Sequence, residues 1–563
     1  MLLKLVILIL AVGAITGQII PPSGFRRVRP GLTVLTSGGP FQGQHETYDL
    51  FRSIYTYKGI PYAQPPLGNL RFRQPVPADP SPLLRKAWDY GSRCPQKSIL
   101  NRVIGEENCL FLNVATPTNF RGPLPVAVSI HGGGLQWGSG QMDILGPEYI
   151  NQEGVIVVSF NYRLNVFGFL NTADQYSPGN YGIKDMILVL KWVRDNIDAF
   201  GGNPNDVTII GPSGGAVAVH SLVVSPAASG LFHKAIATSG SLFNSWAFNR
   251  DPRQNVLKLT EKLQLQVTSS QDTVAQLRQV SMERLLDKVS ELDDVPSGSF
   301  SEYSFMPSLD PFNSPEPRVF TAPIDFLIRY GNINQVPFLV GFNSGESLSS
   351  VLYFRRDTKV AERYNQNPHL LVPPEWNLAP NSFLAQEVIT TFKNLYFGGA
   401  QNITQDMALQ WADYASDREF IVGISKMARL HRARQNVYYY RFSYKGSLSF
   451  AERVSGLTEY PGAMHGDDLF YLNRLNVAVT PVLPGDEAFR VQRQVVRMWT
   501  NFIRFGSPTP SIIDVLLRVR WPLMTVNEDF LDIGSNLQPG NRPFQIRMAV
   551  WDSFEQRFNP NSE

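Results

Sequence analysis

Ser213 stands at the apex of VTIIGPSGG, Val207 to Gly215, where a β-branched run breaks into Gly211-Pro212-Ser213-Gly214-Gly215 and small apolar residues follow, Ala216 to Val224. That is strand, sharp turn and helix. G-x-S-x-G spacing has a mechanical reason: the serine is forced into a strained backbone, and glycines two before and two after let strand and helix approach. With 44 glycines in the chain, the stretch also reads as a plain Gly-rich connection, so partners must decide. An acyl-transfer serine needs a base, an acid to orient it and donors for an oxyanion. His465, in Gly462-Ala463-Met464-His465-Gly466, follows the aromatic strand-like run Val437 to Tyr444. Glu346 ends the phrase Gly341 to Glu346 behind the apolar run Val336 to Val340, where a carboxylate can orient an imidazole. The run Val126 to Ile130 leads into His131-Gly132-Gly133-Gly134, whose backbone N–H groups no side chain would cover. Each has a bland alternative: a solvated loop glutamate, a capping histidine, a flexible glycine turn.

The elements that must position these groups can be read in order. Val126–Ile130 and Val155–Phe160 are apolar strands, and Asn180–Phe200 carries Ile183, Met186, Ile187, Leu190, Val193 and Ile197 at helical spacing before Gly201-Gly202. Strand, helix, strand, elbow, helix predicts parallel crossovers in a sheet covered on both faces. Lys234–Gly240 is a further short strand, Arg250 to Val295 a polar helical insertion, residues 355–435 helical elaborations, and Val491–Phe505 a closing helix. The chain is therefore α/β. His131, opening the glycine loop, and His220, inside the elbow helix, are read as structural.

At 563 residues, 43% hydrophobic and 18% charged, the composition excludes a disordered chain. A net charge of +3 without basic runs argues against nucleic acid or an anionic membrane as partner. Lys4, the apolar run Leu5 to Val12 and small residues to Gly17 predict a signal peptide over 1–17, followed by a single domain over 18–563. No later stretch reaches spanning length and Arg557 to Glu563 is polar, so no membrane anchor is expected and the destination is extracellular. In that oxidising setting Cys94 and Cys109 most simply pair as a disulfide, worth about 3 kcal/mol on the loop-entropy account. Asn402-Ile403-Thr404 is a glycosylation sequon.

GIPYAQPPLGNLRF (Gly59–Phe72), GEENCLFLNVATP (Gly105–Pro117) and NYRLNVFGFL (Asn161–Leu170) resemble the type-B carboxylesterases, the cholinesterase-like family, and the resemblance covers nearly all of the mature chain. It implies the α/β-hydrolase fold, a mostly parallel central sheet flanked by helices and carrying large cap insertions. It implies a secreted serine carboxylic-ester hydrolase with Ser213, Glu346 and His465 as catalytic residues, an oxyanion hole from Gly133, Gly134 and Gly214, and no metal or organic cofactor. The expected substrate is a small hydrophobic ester. Structural pairs Arg71–Glu107 and Arg163–Asp185, the Cys94–Cys109 disulfide and a supporting Ser239 are carried over in the same way. The chain departs from the family at Pro212 and Gly214, where glutamate and alanine are usual, at Leu135, usually aromatic, and at Ser347, usually glycine. The loop from Cys94 to Cys109 holds no tryptophan, so acetylcholine is not the expected substrate. The rival reading is a non-enzymatic or weakly active binding or adhesion protein built on this fold.

Overall fold

The computed structural model describes residues 27–48, 52–98, 100–120, 122–293, 303–450, 458, 460, 462–476, 482–510 and 514–559; the expected signal peptide, 1–17, lies outside them. Among the described residues a 13-stranded sheet forms the centre. Its strands are β1 (Arg27–Thr36), β2 (Gly39–Thr47), β3 (Ser53–Pro61), β4 (Arg85–Lys86), β5 (Phe111–Pro117), β6 (Leu124–Ser129) and β7 (Ile156–Phe160). They continue as β8 (Gly202–Pro212), β9 (Lys234–Thr238), β10 (Phe338–Asn343), β11 (Val437–Phe442), β12 (Asp529–Ile533) and β13 (Leu537–Asn541). The spatial order is β1-β2-β3-β5-β7-β6-β8-β9-β10-β11-β12-β13, with β4 beside β2. From β7 across to β12 every neighbour is parallel. The outer path from β1 to β7 and the last pair, β12 with β13, are antiparallel.

The central strands are apolar because both of their faces are covered. Every residue of β7, β9 and β10 is buried, as the near-continuous runs IVVSF, KAIAT and FLVGFN require. Flanking helices include α1 (Tyr181–Asn196), α2 (Gly214–Val224), α3 (Val422–Arg432) and α4 (Glu487–Phe505). The helix expected over Asn180–Phe200 stops as an α-helix at Asn196, tightens into a 3-10 turn over Ile197–Phe200, and ends at Gly201 with φ 84°. β8 starts earlier than the β-branched run suggested, because Gly202 already pairs with Leu124 before the register shifts ahead of Val207. The insertion after Arg250 folds as three helices, Pro252–Lys262, Ser270–Gln279 and Met282–Leu292, started by the side chains of Asp251, Ser269 and Ser281.

The expected scaffold pairs form. Cys94 and Cys109 are disulfide-bonded. Arg71 pairs with Glu107 and adds Nη1 contacts to the carbonyls of Leu277, Arg278 and Val280, which ties the first segment to the inserted helices. Arg163 grips the buried Asp185 of α1 through Nε at 2.9 Å and Nη2 at 2.6 Å.

A second buried pair joins α2 to α3. The Leu242 N–H donates to His220 Nδ1 at 3.1 Å, so the His220 proton sits on Nε2 and faces His431 Nε2, also at 3.1 Å. An extra proton on either ring would set N–H against N–H. Burial pushes His431 down to about 3, and burial together with His431 pushes His220 well below the usual range. Both folded values lie below the unfolded value of about 6.5, so stability from this pair is complete above that pH and is lost as pH falls toward 3. Replacing both rings by leucine (His220→Leu/His431→Leu) should therefore flatten the acid limb. Between pH 7.5 and 5, urea unfolding should show wild type losing about 2–4 kcal/mol more than the double variant.

Candidate active site

The site is assembled at the C-terminal ends of β8, β9, β10 and the segment after β11. β8 delivers Ser213 at φ 56° and ψ −124°, a positive-φ conformation strained for any residue with a side chain. Its N–H donates to Thr238 O of β9 at 2.8 Å, and its carbonyl accepts the Ala216 and Val217 N–H groups of α2. The flanking glycines are required by space. A Cβ at Gly211 would lie 2.4 Å from Gly215 O, and one at Gly215 would lie 2.3 Å from Ile130 O. Ser213 is left 8% exposed at the turn.

Pro212 fits because of where β6 stops. Pairing of β8 with β9 runs through Pro212↔Thr238, whereas pairing with β6 ends at Ile210↔Ser129. Since Ser213 N–H points to β9, the N–H that proline lacks would have faced β6, beyond the end of that ladder.

The glycine loop after β6 folds against the elbow. A Cβ on Gly214 would sit 2.8 Å from Gly134 N, and one on Gly132 would sit 3.3 Å from Ser213 Cβ, so the glycine run packs directly against the serine and Gly214. Gly133 and Gly134 take φ 106° and 60°, and Gly133 O accepts the N–H groups of Gln136 and Trp137 at 3.0 and 3.1 Å. Gln96, inside the disulfide loop, pins the far end by accepting the Gly138 N–H and donating to Gly138 O, both at 2.8 Å. His131 stacks on Tyr162 with ring centres 4.3 Å apart, and burial pushes it down to about 4. Leu135, at the usual aromatic position, is fully buried.

Glu346 and His465 are brought together by a bridge between their loops. Gly345 pairs with Met464 in parallel, and Gly345 N–H donates to Ala463 O at 2.8 Å. His465 Nδ1 then lies 2.6 Å from Glu346 Oε2, while Glu346 Oε1 accepts the Asn343 N–H at 2.7 Å. Asn343 Nδ2 reaches Ser239 Oγ and Asp468 Oδ1, both at 3.2 Å, and Tyr440 donates to Asp468 Oδ2 at 3.0 Å. Burial pushes the Asp468 carboxyl up. Asp467 accepts the Met464 and Phe450 N–H groups and is pushed by burial to about 7.

Four contacts were not legible in the sequence. The Phe420 ring packs on His465 with centres 4.8 Å apart. Ser347 Oγ donates to Glu419 Oε2 at 3.1 Å. Tyr303 covers the glycine loop, its Cε2 3.0 Å from where a Gly134 Cβ would be. Gln96, as above, clamps that loop. Only Asn343, inside the phrase before Glu346, could have been picked out in advance. Among the described residues no cluster of three His, Cys, Asp or Glu side chains is placed to hold a metal ion.

The model of the carboxylesterase family matches residues 30–551. The chain belongs to the carboxylesterase family. Curated relatives agree: juvenile hormone esterase of Tribolium castaneum is 32% identical over 85% of this chain and 84% of its own length. Liver carboxylesterase of Sus scrofa is 31% identical over 92% of both, and esterase FE4 of Myzus persicae is 34% identical over 83% of both. Among solved structures, juvenile hormone esterase from Manduca sexta with OTFP covalently attached superposes with a TM-score of 0.81 at 28% identity, covering 94% of this chain and 100% of that one. The fold is thus the α/β-hydrolase fold, and this carboxylesterase is a carboxylic-ester hydrolase. Among the described residues no helix is long and apolar enough to cross a membrane.

The packing of the elbow generates a test. Gly215→Ala places a methyl group against the carbonyls of Ile130 and His131, at 2.3 and 2.9 Å before relaxation. Such overpacking against backbone should cost about 1–3 kcal/mol in urea unfolding, and active-site labelling by a fluorophosphonate should slow in parallel.

Proposed function

We propose that Ser213, His465 and Glu346 carry out ester hydrolysis through an acyl-enzyme, with Gly133, Gly134 and Gly214 as the oxyanion donors. The observation that carries this reading is the 2.6 Å contact between His465 Nδ1 and Glu346 Oε2 at the strand ends that also present the strained Ser213. With the Nδ1 proton held by the carboxylate, Nε2 is the basic nitrogen. It takes the Ser213 proton as Oγ bonds to the ester carbonyl carbon, and the carbonyl oxygen becomes an anion facing backbone N–H groups. The same proton passes to the departing alkoxide as the ester C–O bond breaks. Water then repeats the sequence: His465 accepts its proton, the hydroxide attacks the acyl carbon, and Ser213 leaves with the proton returned.

The substrate is a small hydrophobic carbonyl ester, a reading supported by the apolar side chains packed about the site: Phe420 on the His465 ring and Tyr303 over Gly134. Secretion is part of the same proposal. The apolar stretch Leu5 to Val12 supports a leader over 1–17 with the remaining residues forming one domain, and an intact disulfide suits an oxidising compartment. Asn402 is exposed, which supports glycan attachment there.

The test is labelling of purified protein with a fluorophosphonate probe together with turnover of p-nitrophenyl butyrate. Both should vanish in Ser213→Ala. Glu346→Gln should keep the fold and lower kcat by about 10³–10⁴-fold, because the imidazole then loses its orienting carboxylate. A folded wild type that takes no label would instead support a binding protein on this scaffold.

A further inference from the structure

Each of the three proposed oxyanion donors belongs to a peptide whose carbonyl is held from behind. A trans peptide sets its C=O and N–H in opposite directions, so whatever holds the carbonyl also aims the N–H of the next residue. Ser213 O accepts the Ala216 and Val217 N–H groups at 2.9 and 3.1 Å, which aims the Gly214 N–H the other way. Gly133 O accepts the Gln136 and Trp137 N–H groups at 3.0 and 3.1 Å, which does the same for Gly134. Both of these anchors are main chain. Gly132 O, which governs the Gly133 N–H, is held instead by a side chain, His131 Nδ1 at 2.9 Å.

That peptide is the one most in need of an anchor. Gly132 and Gly133 flank it without side chains, and Gly133 takes φ 106°, so sterics alone do not choose which way its plane is turned. His131 is suited to choose. A carbonyl only accepts, so the ring proton sits on Nδ1. Burial, with the Arg93 charge adding to it, pushes the ring down to about 4, which leaves it neutral with that one proton. Tyr162 fixes the ring twice over, stacking on it at 4.3 Å with the planes 17° apart and donating its hydroxyl to His131 O at 2.8 Å. Gly138 closes over the contact, since a Cβ there would meet His131 Nδ1 at 2.4 Å and Gly132 O at 2.7 Å. Gln96 in turn holds Gly138 by both its N–H and its carbonyl.

We propose that His131 is a positioning residue for the hydrolysis: its Nδ1–H holds Gly132 O and so aims the Gly133 N–H at the developing oxyanion. The inference rests on the esterase reading of the site. His131 touches no substrate; it acts through the peptide. Its contribution belongs to the transition state, where the carbonyl oxygen carries charge, rather than to binding of the ester.

Two substitutions separate the donor from the ring. His131→Phe keeps an aromatic ring against Tyr162 and removes the N–H, whereas His131→Asn puts an amide N–H where Nδ1 stands. Each is compared with wild type in turnover of p-nitrophenyl butyrate and in inhibition by two ketones. Hexyl trifluoromethyl ketone is attacked by Ser213: the Oγ–C bond forms, the carbonyl electron pair moves to oxygen, and the serine proton passes to His465 Nε2. Hexyl methyl ketone binds as the neutral carbonyl. His131→Phe should lower kcat and weaken the trifluoromethyl ketone by about 10–100-fold each, less than outright loss of a donor costs. KM and the methyl ketone affinity should stay close to wild type, as expected when only a transition-state interaction is lost. His131→Asn should recover most of both losses. A phenylalanine variant as active as wild type overturns the proposal. So does equal weakening of both ketones, which marks a merely structural role, and so does an asparagine variant no better than the phenylalanine one. Should His131→Phe fail to fold, His131→Gln, whose amide lies nearer the Nε2 position, is held to the same outcomes. Wild-type turnover that vanishes in Ser213→Ala reports on the esterase reading by itself: without it that reading fails and takes this inference along, whereas an active wild type with indifferent variants sinks this inference alone.

Discussion

The backbone at Ser213 is the constraint on which the rest of the site depends. A positive φ at a residue with a side chain costs on the order of 1–3 kcal/mol and persists only where neighbours over-determine it. They do so from three directions: β9 takes the serine N–H, α2 hangs from its carbonyl, and the bare α-carbons of Gly211 and Gly215 leave no room for another path. The glycine loop is built on the same close approach, since Gly132 lies against Pro212 and Ser213 while Gly214 lies against Gly134 and Leu135. Loosening the elbow would therefore move Ser213 and the proposed oxyanion donors together.

What was legible in the sequence is what is encoded locally. The elbow, the glycine run, the parallel strands and the phrases around Glu346 and His465 each sit within a few residues of chain, so residue type and spacing announce them. The disulfide and the two scaffold ion pairs were reachable through family resemblance. What was not legible is tertiary. Glu419 meets Ser347 across 72 residues and His431 meets His220 across 211, and no periodicity marks either partner. The π-turn at Asp417–Ile421 is hidden for a further reason: its sequence, DREFI, is ordinary helical text, and what allows the wider turn is Trp246 and Asn244 supplying donors from a distant segment. Element ends shifted for smaller causes, as where β8 begins at Gly202 because a bulge carries pairing past polar residues.

Pro212 shows how a departure from the family pattern can be neutral for the fold and consequential for the field. The missing N–H falls where β6 has ended, so the strand accommodates proline as its last residue. The side chain that the family usually places there would bring a carboxylate next to the serine. The buried acids of this chain are held by other partners: Glu346 by the imidazole, Asp468 by Asn343 and Tyr440, and Glu419 by Ser347.

A carboxylate adjacent to the nucleophile acts on every substrate alike, because the reacting carbonyl always occupies the same place; its effect is on the developing imidazolium. The Ser347 hydroxyl keeps the Glu419 charge in one position, and the wide turn beneath it presents Phe420 to the imidazole in the same stroke. One distortion of a helix thereby sets both an apolar contact on the His465 ring and the hydrogen bond that ties Ser347, the residue after Glu346, to Glu419.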